Sequence, residues 1–312
     1  MPALSVVVVS WNTRALLAEC LRALHPDLDA GRAEVRVVDN DSSDGSAEMV
    51  AERFPWVTLE QPGRNLGFGA AANLGARAAV GGEWIVVANA DVTPHPGAIA
   101  ALAAEPRPGV GIVAPRLLTP AGATEPSVHP FPTLGRTLAF TSGLTGPWPE
   151  LGRRLALDGR WDPELARRVD WAHGALLCVR RACWEQIGGF DERQWMYAED
   201  LDLCWRAAQA GWSTRYEPAA QVVHQGAAST RQAFGDAREQ RAQASAYVWL
   251  ARRRGPLEAR AVALANLAGV AGRLVLARGP RARARLRGYA RMHATGLRSR
   301  AALERMTENG PR

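Results

Sequence analysis

The chain contains no lysine: all 38 of its basic residues are arginines. A codon bias toward GC-rich triplets explains this more simply than a need for guanidinium at every site. Cysteine is scarce, with four residues at 20, 178, 183 and 204, and no two stand in a CxxC spacing. That excludes a zinc-ribbon set and a dithiol redox motif, and points to reduced, mostly buried thiols. Long hydrophobic runs are also missing. The longest later apolar stretch, 261–272, falls short of the ~20 residues needed to span a bilayer. The apolar segment at 5–10 has no basic stretch before it and no cleavage site after it, so it does not read as a signal peptide. A soluble or peripherally bound cytoplasmic protein is the expectation.

What is present suits a globular protein. The 312 residues are 47% hydrophobic and 22% charged, enough for one large α/β domain or one domain with an appendage. The formal net charge of +7 is unevenly placed. From residue 251 onward there are fifteen arginines against three acids, so the body before it is net acidic. A basic tail on an acidic body suits an anionic membrane surface or nucleic acid as partner, and equally a solvated helical face.

The first 115 residues alternate between strand and helix signals. Continuous β-branched or apolar runs at 4–9, 35–38, 56–59, 84–88 and 110–114 read as strands covered on both faces. Helices are expected to about 24, to about 54, over 67–79 and near 98–104. This alternation predicts an open, mostly parallel sheet flanked by helices. Ligands of such sheets bind beyond the carboxyl ends of the strands, where Asp39 and Asp91 fall. Residues 119–161, rich in Pro and Gly, read as a long loop with short helices, a frequent source of lids. A strand at 175–179, helices at 181–187 and 200–210, and two short strands at 212–216 and 221–223 follow. Helices then run from 233 to about 305.

Each acidic segment has two readings. Asp39 closes a strand and opens a turn of Asx, Ser and Gly. It can accept the imide N–H of a uracil or thymine ring, with Asn40 near the ribose, or it can cap the next helix. The segment 89–91 (NAD) ends a buried strand. There Asp91 can bind a divalent cation bridging a diphosphate, or cap a helix. Glu199 and Asp200 open a helix, where the dipole favours acids. Their aromatic neighbours Trp195, Tyr197 and Trp205 also suit a carboxyl whose pKa is raised toward that of a general base. His224 follows an apolar run and reads as structural or as a ligand. Arg64, in a glycine-flanked turn, can meet phosphate.

Taken in order, these segments resemble the family 2 inverting glycosyltransferases, in particular the bacterial rhamnosyltransferase branch. The matching stretches are 6–12 (VVVVSWN), 37–46 (VVDNDSSDGS), 65–73 (NLGFGAAAN), 89–91, 174–181 (GALLCVRR), 189–192 (GFDE), 197–206 (YAEDLDLCWR) and His224. They cover about residues 4 to 230. The resemblance implies the A-type glycosyltransferase fold, a Rossmann-like sheet, over residues 1–255, with a helical arginine-rich extension at 256–312. It implies a nucleotide-sugar donor held by Ser10, Asn12, Asp39, Asn40, Arg64, Asn65, Asn89 and Asp91, and acceptor contacts from Trp195 and Gly174. Mg²⁺ or Mn²⁺ would be held by Asp91 with His224, and the base would come from the Glu199–Asp200 pair, with Asp200 favoured. The family's Asp-x-Asp motif begins here with Asn89, one negative charge fewer on the metal, so weak or exchangeable binding is expected.

Two other functions were weighed against these residues. A sugar-nucleotide nucleotidyltransferase would carry a basic Gly-rich loop after the first strand, where Ser10-Trp-Asn-Thr13 stands instead. A non-catalytic nucleotide-sugar-binding protein would not need all of Asp39, Asp91, Glu199 and Asp200. In the tail, Arg281, Arg283, Arg285, Arg287 and Arg291 lack the aromatic interleaving of a nucleic-acid surface. With 257–276 they read as a membrane-surface element, as a glycan or lipid-linked acceptor would require.

Overall fold

A computed structural model describes residues 4–27, 33–79, 81–142, 162–226 and 238–307. The run Leu4–Ser10 forms β1, buried along its whole length. Its side chains alternate between two cores: Leu4, Val6 and Val8 enter one, Val7 and Val9 the other. That is why the sequence reads as a continuous apolar run rather than an alternating one. The chain continues through α1 (Arg14–Leu24), β2 (Ala33–Asp39), α2 (Ser46–Arg53), β3 (Val57–Glu60), α3 (Phe68–Ala78), β4 (Trp84–Asn89), β5 (Val92–Pro94), α4 (Ala98–Ala103) and β6 (Val110–Leu118). It then makes β7 (Val128–His129), α5 (Leu134–Thr141), β8 (Arg167–Val169), β9 (Trp171–Ala172), β10 (Leu176–Arg180), α6 (Arg181–Ile187), α7 (Glu199–Gln209) and β11 (Ser213–His224). Four helices end the described chain: α8 (Arg238–Arg253), α9 (Pro256–Leu276), α10 (Pro280–Ala294) and α11 (Arg300–Thr307).

Nine strands form the central sheet in the order β3-β2-β1-β4-β10-β6-β11-β5, with β8 also on β11. β1, β2, β3, β4, β6 and β11 run one way, and β10, β5 and β8 oppose them. The sheet is therefore mostly parallel, as the sequence pattern predicts. Register sets the site. Ser10 lies opposite Asp39 and Val9 opposite Asn89, so the three strand ends meet at one edge.

The two short strands expected at 212–216 and 221–223 are one strand, β11, with a register shift between Glu217 and Gln221. Pro218 has no N–H to give the ladder, so pairing breaks locally and then resumes. The continuation carries His224 to the same edge, opposite Val92. Of the expected helix over 233–253, residues 233–237 lie outside the described residues, as does most of the expected lid after 142.

The two cores flank the sheet, with α1, α2 and α4 on one side and α3, α6 and α7 on the other. A third core joins the C-terminal helices to the body. Leu201 of α7 packs with Tyr247, Val248, Leu250, Val262 and Leu303. α9 is longer than its apolar run suggested. By length and composition it suffices to cross a membrane, with mean hydropathy 1.4 and 28% of that stretch buried.

Candidate active site

The first corner of the site is the Asx turn after β2. Asp39 is 3% exposed; its Oδ1 accepts the Ser42 N–H at 2.8 Å, and its Oδ2 has no hydrogen-bond partner among the described residues. Burial raises this carboxyl above its ordinary value, against the hydrogen bond from Ser42. A buried acceptor left open at a strand end suits an incoming N–H donor. Asn40 is tied on both sides: its Nδ2 donates to Asn65 Oδ1 at 2.9 Å, and its Oδ1 accepts the Leu66 N–H at 2.8 Å. Asn12, at φ 51°, knits β1 to the same turn. Its N–H donates to Ser42 Oγ at 2.9 Å and its Oδ1 accepts the Ser43 N–H at 2.7 Å. Ser10 Oγ lies 3.1 Å from Thr13 Oγ1. Ser10 and Asn12 thus build the turn, while Arg64 is exposed beyond it.

The second corner is Asp91 with His224. His224 Nε2 stands 3.6 Å from Asp91 Oδ1, and Nδ1 is 3.0 Å from Glu125 Oε2. The Glu125 carboxylate can only accept, so Nδ1–H donates to it and Nε2 is the nitrogen that turns its lone pair toward Asp91. The Gln225 N–H donates to the Asp91 carbonyl at 2.9 Å, fixing the two segments together.

The third corner is the acid pair at the start of α7. The turn before it is strained: Tyr197 and Ala198 have φ of 65° and 63°. Each left-handed non-glycine residue costs roughly 1–2 kcal/mol, so the surroundings hold this turn. Asp200 Oδ2 accepts the Gly174 N–H at 2.9 Å and Oδ1 the Leu201 N–H at 2.7 Å. Gly174 is needed there, since a Cβ would meet the Asp200 Cβ at 3.1 Å. Glu199 Oε2 is buried with no hydrogen-bond partner among the described residues. Burial raises both carboxyls, and the nearby Asp200 charge adds to the effect on Glu199, which is pushed up to about 8. The two backbone donors favour charge on Asp200. Of the two, Glu199 therefore holds its proton the more tightly, and the first charge of the pair falls on Asp200.

A cavity of about 720 Å³ joins the three corners. Asn40, Asn65, Asn89, Asp91, Gly174, Glu199, Asp200 and His224 line it; Ser10, Asn12, Asp39, Arg64 and Trp195 do not. The Trp195 ring lies instead under Arg241, whose guanidinium carbon is 5.4 Å from its centroid.

This arrangement has relatives. The profile of the family described as "Glycosyltransferase like family 2" matches residues 2–245. The N-acetylglucosaminyl-diphospho-decaprenol L-rhamnosyltransferase of Mycobacterium tuberculosis is 38% identical over 241 residues, 73% of this chain and 77% of that protein. The chain belongs to glycosyltransferase family 2. The low-salt glycan biosynthesis hexosyltransferase Agl10 of Haloferax volcanii is 27% identical over 213 residues, 65% of this chain and 61% of its own. The mannosyltransferase PcManGT from Pyrobaculum calidifontis, solved with GDP-Man and Mn²⁺, has the same fold. It superposes with a TM-score of 0.58 at 22% identity, covering 97% of this chain and 86% of that one. The A-type glycosyltransferase fold expected from the sequence is thus present.

Several residues lining the transferase cavity were not anticipated from the sequence: Glu125, His129, Trp171, His173, Tyr197 and Arg238. Trp171 and His173 project into it from β9 and the residue after it; the alternation Asp170-Trp-Ala-His173 was the available signal. His129 Nε2 lies 3.1 Å from His173 Nε2, and its ring is tilted over Trp171 at 4.8 Å. Burial lowers His173 to about 4, so it is neutral at physiological pH.

The donor set at the second corner fits a hard divalent cation. Among the described residues no three His, Cys, Asp or Glu side chains form a preformed cage. Mg²⁺ normally uses one or two protein ligands with substrate phosphates and water. Ligands at right angles on such an ion are roughly 3 Å apart, close to the 3.6 Å between Asp91 Oδ1 and His224 Nε2. Glu125 behind the imidazole is the outer carboxylate that orients metal-bound histidines.

Proposed function

We propose that this transferase moves a sugar, L-rhamnose from a dTDP or UDP donor, to a hydroxyl of a lipid-linked saccharide in cell-envelope polysaccharide synthesis, with inversion. The observation that carries this reading is the single cavity lined by Asn40 and Asn65, by Asp91 and His224, and by Glu199 and Asp200. The donor and acceptor classes follow the Mycobacterium tuberculosis rhamnosyltransferase. Asp39 Oδ2 accepts the imide N–H of the base at the rim of the site. Asp91 and His224 hold Mg²⁺ or Mn²⁺, which when bound offsets charge on the departing diphosphate.

The acceptor hydroxyl gives its proton to Asp200. Its oxygen forms a bond to the anomeric carbon as the bond from that carbon to the diphosphate oxygen breaks on the opposite face. Nucleoside diphosphate leaves, and the proton stays on Asp200 until it exchanges with solvent. Protonated Glu199 keeps a second charge away from the attacking oxygen. The Trp171, His129 and His173 rings offer a flat wall for the acceptor sugar. A panel of dTDP-, UDP- and GDP-sugars tests the assignment. dTDP-rhamnose is expected to give the largest thermal stabilisation and to be transferred to polyprenyl-diphospho-N-acetylglucosamine. Turnover only with another donor would replace the sugar, and no turnover with any donor would remove the reading.

The extension 256–312 is proposed to dock the enzyme on the inner face of the plasma membrane, where a lipid-linked acceptor resides. On α9, Leu257, Leu264 and Val275 are spaced by seven and eleven residues, which places them on one stripe. They are 78%, 56% and 83% exposed, and Leu276 beside them 80%. α10 buries no residue, and its arginines at 281, 283, 285, 287 and 291 are exposed. The extension thus offers both apolar side chains for insertion and cationic ones for attraction to anionic headgroups. The full chain should float with vesicles containing phosphatidylglycerol at low salt. Val275→Asp/Leu276→Asp should abolish flotation; unchanged flotation of that variant would reject the docking face.

A further inference from the structure

The Glu199–Asp200 pair depends on a turn that the chain does not favour by itself. Tyr197 and Ala198 both stand in the left-handed region, and neither is glycine. The turn is gripped from two sides. On the donor side Gly67 presses against it, since a Cβ there would lie 2.2 Å from the Trp195 carbonyl oxygen. On the other side stands α8. Its Arg252 Nη1 donates to Gln194 Oε1 at 3.1 Å, and its Arg253 pairs with Asp191 and with Asp202, itself 1% exposed. These contacts fix the flanks of the turn. From α8 Ser245 reaches inside it: Ser245 Oγ donates to the Met196 carbonyl at 3.0 Å, and Ser245 is 2% exposed. Water has little access to replace that donor, so removing the hydroxyl leaves a carbonyl unsatisfied beside the strained pair.

We propose that Ser245 is a positioning residue for transfer: through the Met196 carbonyl it holds Tyr197 and Ala198 left-handed and so aims Asp200 at the acceptor hydroxyl. The proposal rests on the reading of Asp200 as base. It gives α8 a part in the reaction although no atom of Ser245 touches substrate. Misplacing a catalytic group by about 1 Å can cost on the order of 10²-fold in rate, and the donor corner lies on other elements. Loss of the strap should therefore appear in kcat and not in donor binding.

The test is Ser245→Ala, assayed with the donor that turns over in the panel above. kcat should fall about 10- to 100-fold, while donor KM and the affinity for the nucleoside diphosphate stay within about twofold. Glycine enters the left-handed region without penalty, so the double variant Ser245→Ala/Ala198→Gly should regain most of the loss. An unchanged kcat, a parallel loss of nucleotide affinity, or no recovery in the double variant would overturn the proposal. Should Ser245→Ala not fold, Ser245→Cys keeps the volume while weakening the donor, and the same readouts decide. Asp200→Asn separates the two levels. If it stays active the base assignment itself fails; if it is inactive while Ser245→Ala is normal, the strap alone fails.

Discussion

Asp200→Asn is expected to lower kcat by about 10²–10⁴-fold, the usual contribution of a general base, and to leave nucleoside-diphosphate affinity unchanged. The amide keeps one acceptor oxygen, enough for the Gly174 N–H that now meets Oδ2 at 2.9 Å, and gives up the bond from the Leu201 N–H to Oδ1, a loss of about 1–3 kcal/mol that lowers Tm without removing the fold. What is lost is the site that takes the proton. Glu199→Gln is the matching control. Burial pushes Glu199 up to about 8, so at pH 7 it carries a proton and glutamine imitates it. Its kcat at pH 7 should stay close to that of the parent chain. The two variants also differ in stability. Folded Glu199 retains a proton that the unfolded chain loses above its ordinary value of 4.5. The folded state therefore binds more protons between about 4.5 and 8, and stability falls as pH rises through that window. Glu199→Gln should remove this fall in Tm. A large loss of kcat in Glu199→Gln with near-normal turnover in Asp200→Asn would reverse the roles of the two acids.

The sequence made one half of this site readable and left the other half dark, for a physical reason. Asn89 ends β4, whose preceding residues are all buried, Asp91 lies two residues beyond it, and Asp39 ends the buried half of β2; strands covered on both faces announce themselves as apolar runs. Their register then brings the ends together with no further information. Glu199 and Asp200 were readable because aromatic residues and a helix start surround them. Glu125, His129, Trp171 and His173 were not, because they lie on loops and two-residue strands, where an alternation as short as 170–173 is too brief to stand out. The His224–Glu125 contact spans 99 residues, and no local pattern encodes it. Trp195 shows the converse. Closeness to the acid pair in sequence suggested a place in the cavity, but the left-handed turn at Tyr197 and Ala198 leaves its ring under Arg241. The strap from Ser245 was equally hidden, since α8 reads from its sequence as one more amphipathic helix.

Asp91→Ala should make nucleotide binding indifferent to divalent cations. In the parent chain, calorimetric titration with dTDP or UDP should give tighter binding in Mg²⁺ or Mn²⁺ than in EDTA. In Asp91→Ala the two conditions should give the same affinity, because His224 alone offers one neutral nitrogen to a cation that prefers oxygen. Glu125→Gln grades the same effect. The amide oxygen can still accept the Nδ1–H but carries no charge, so the imidazole keeps its orientation and loses part of its basicity. Outer-shell changes of this kind typically cost about 10- to 100-fold in metal affinity, and cation-dependent binding should weaken by that order without vanishing. Asn89 sharpens the expectation. With asparagine at residue 89, Asp91 is the one carboxylate of the segment 89–91, and no second acid of that segment can stand in for it. Cation-enhanced nucleotide binding that survives in Asp91→Ala would reject Asp91 as the metal's ligand, whereas binding in the parent chain that ignores divalent cations would move charge neutralisation to a cationic side chain. Among the described residues Arg238 is the one arginine lining the cavity, and it would become the group to replace next.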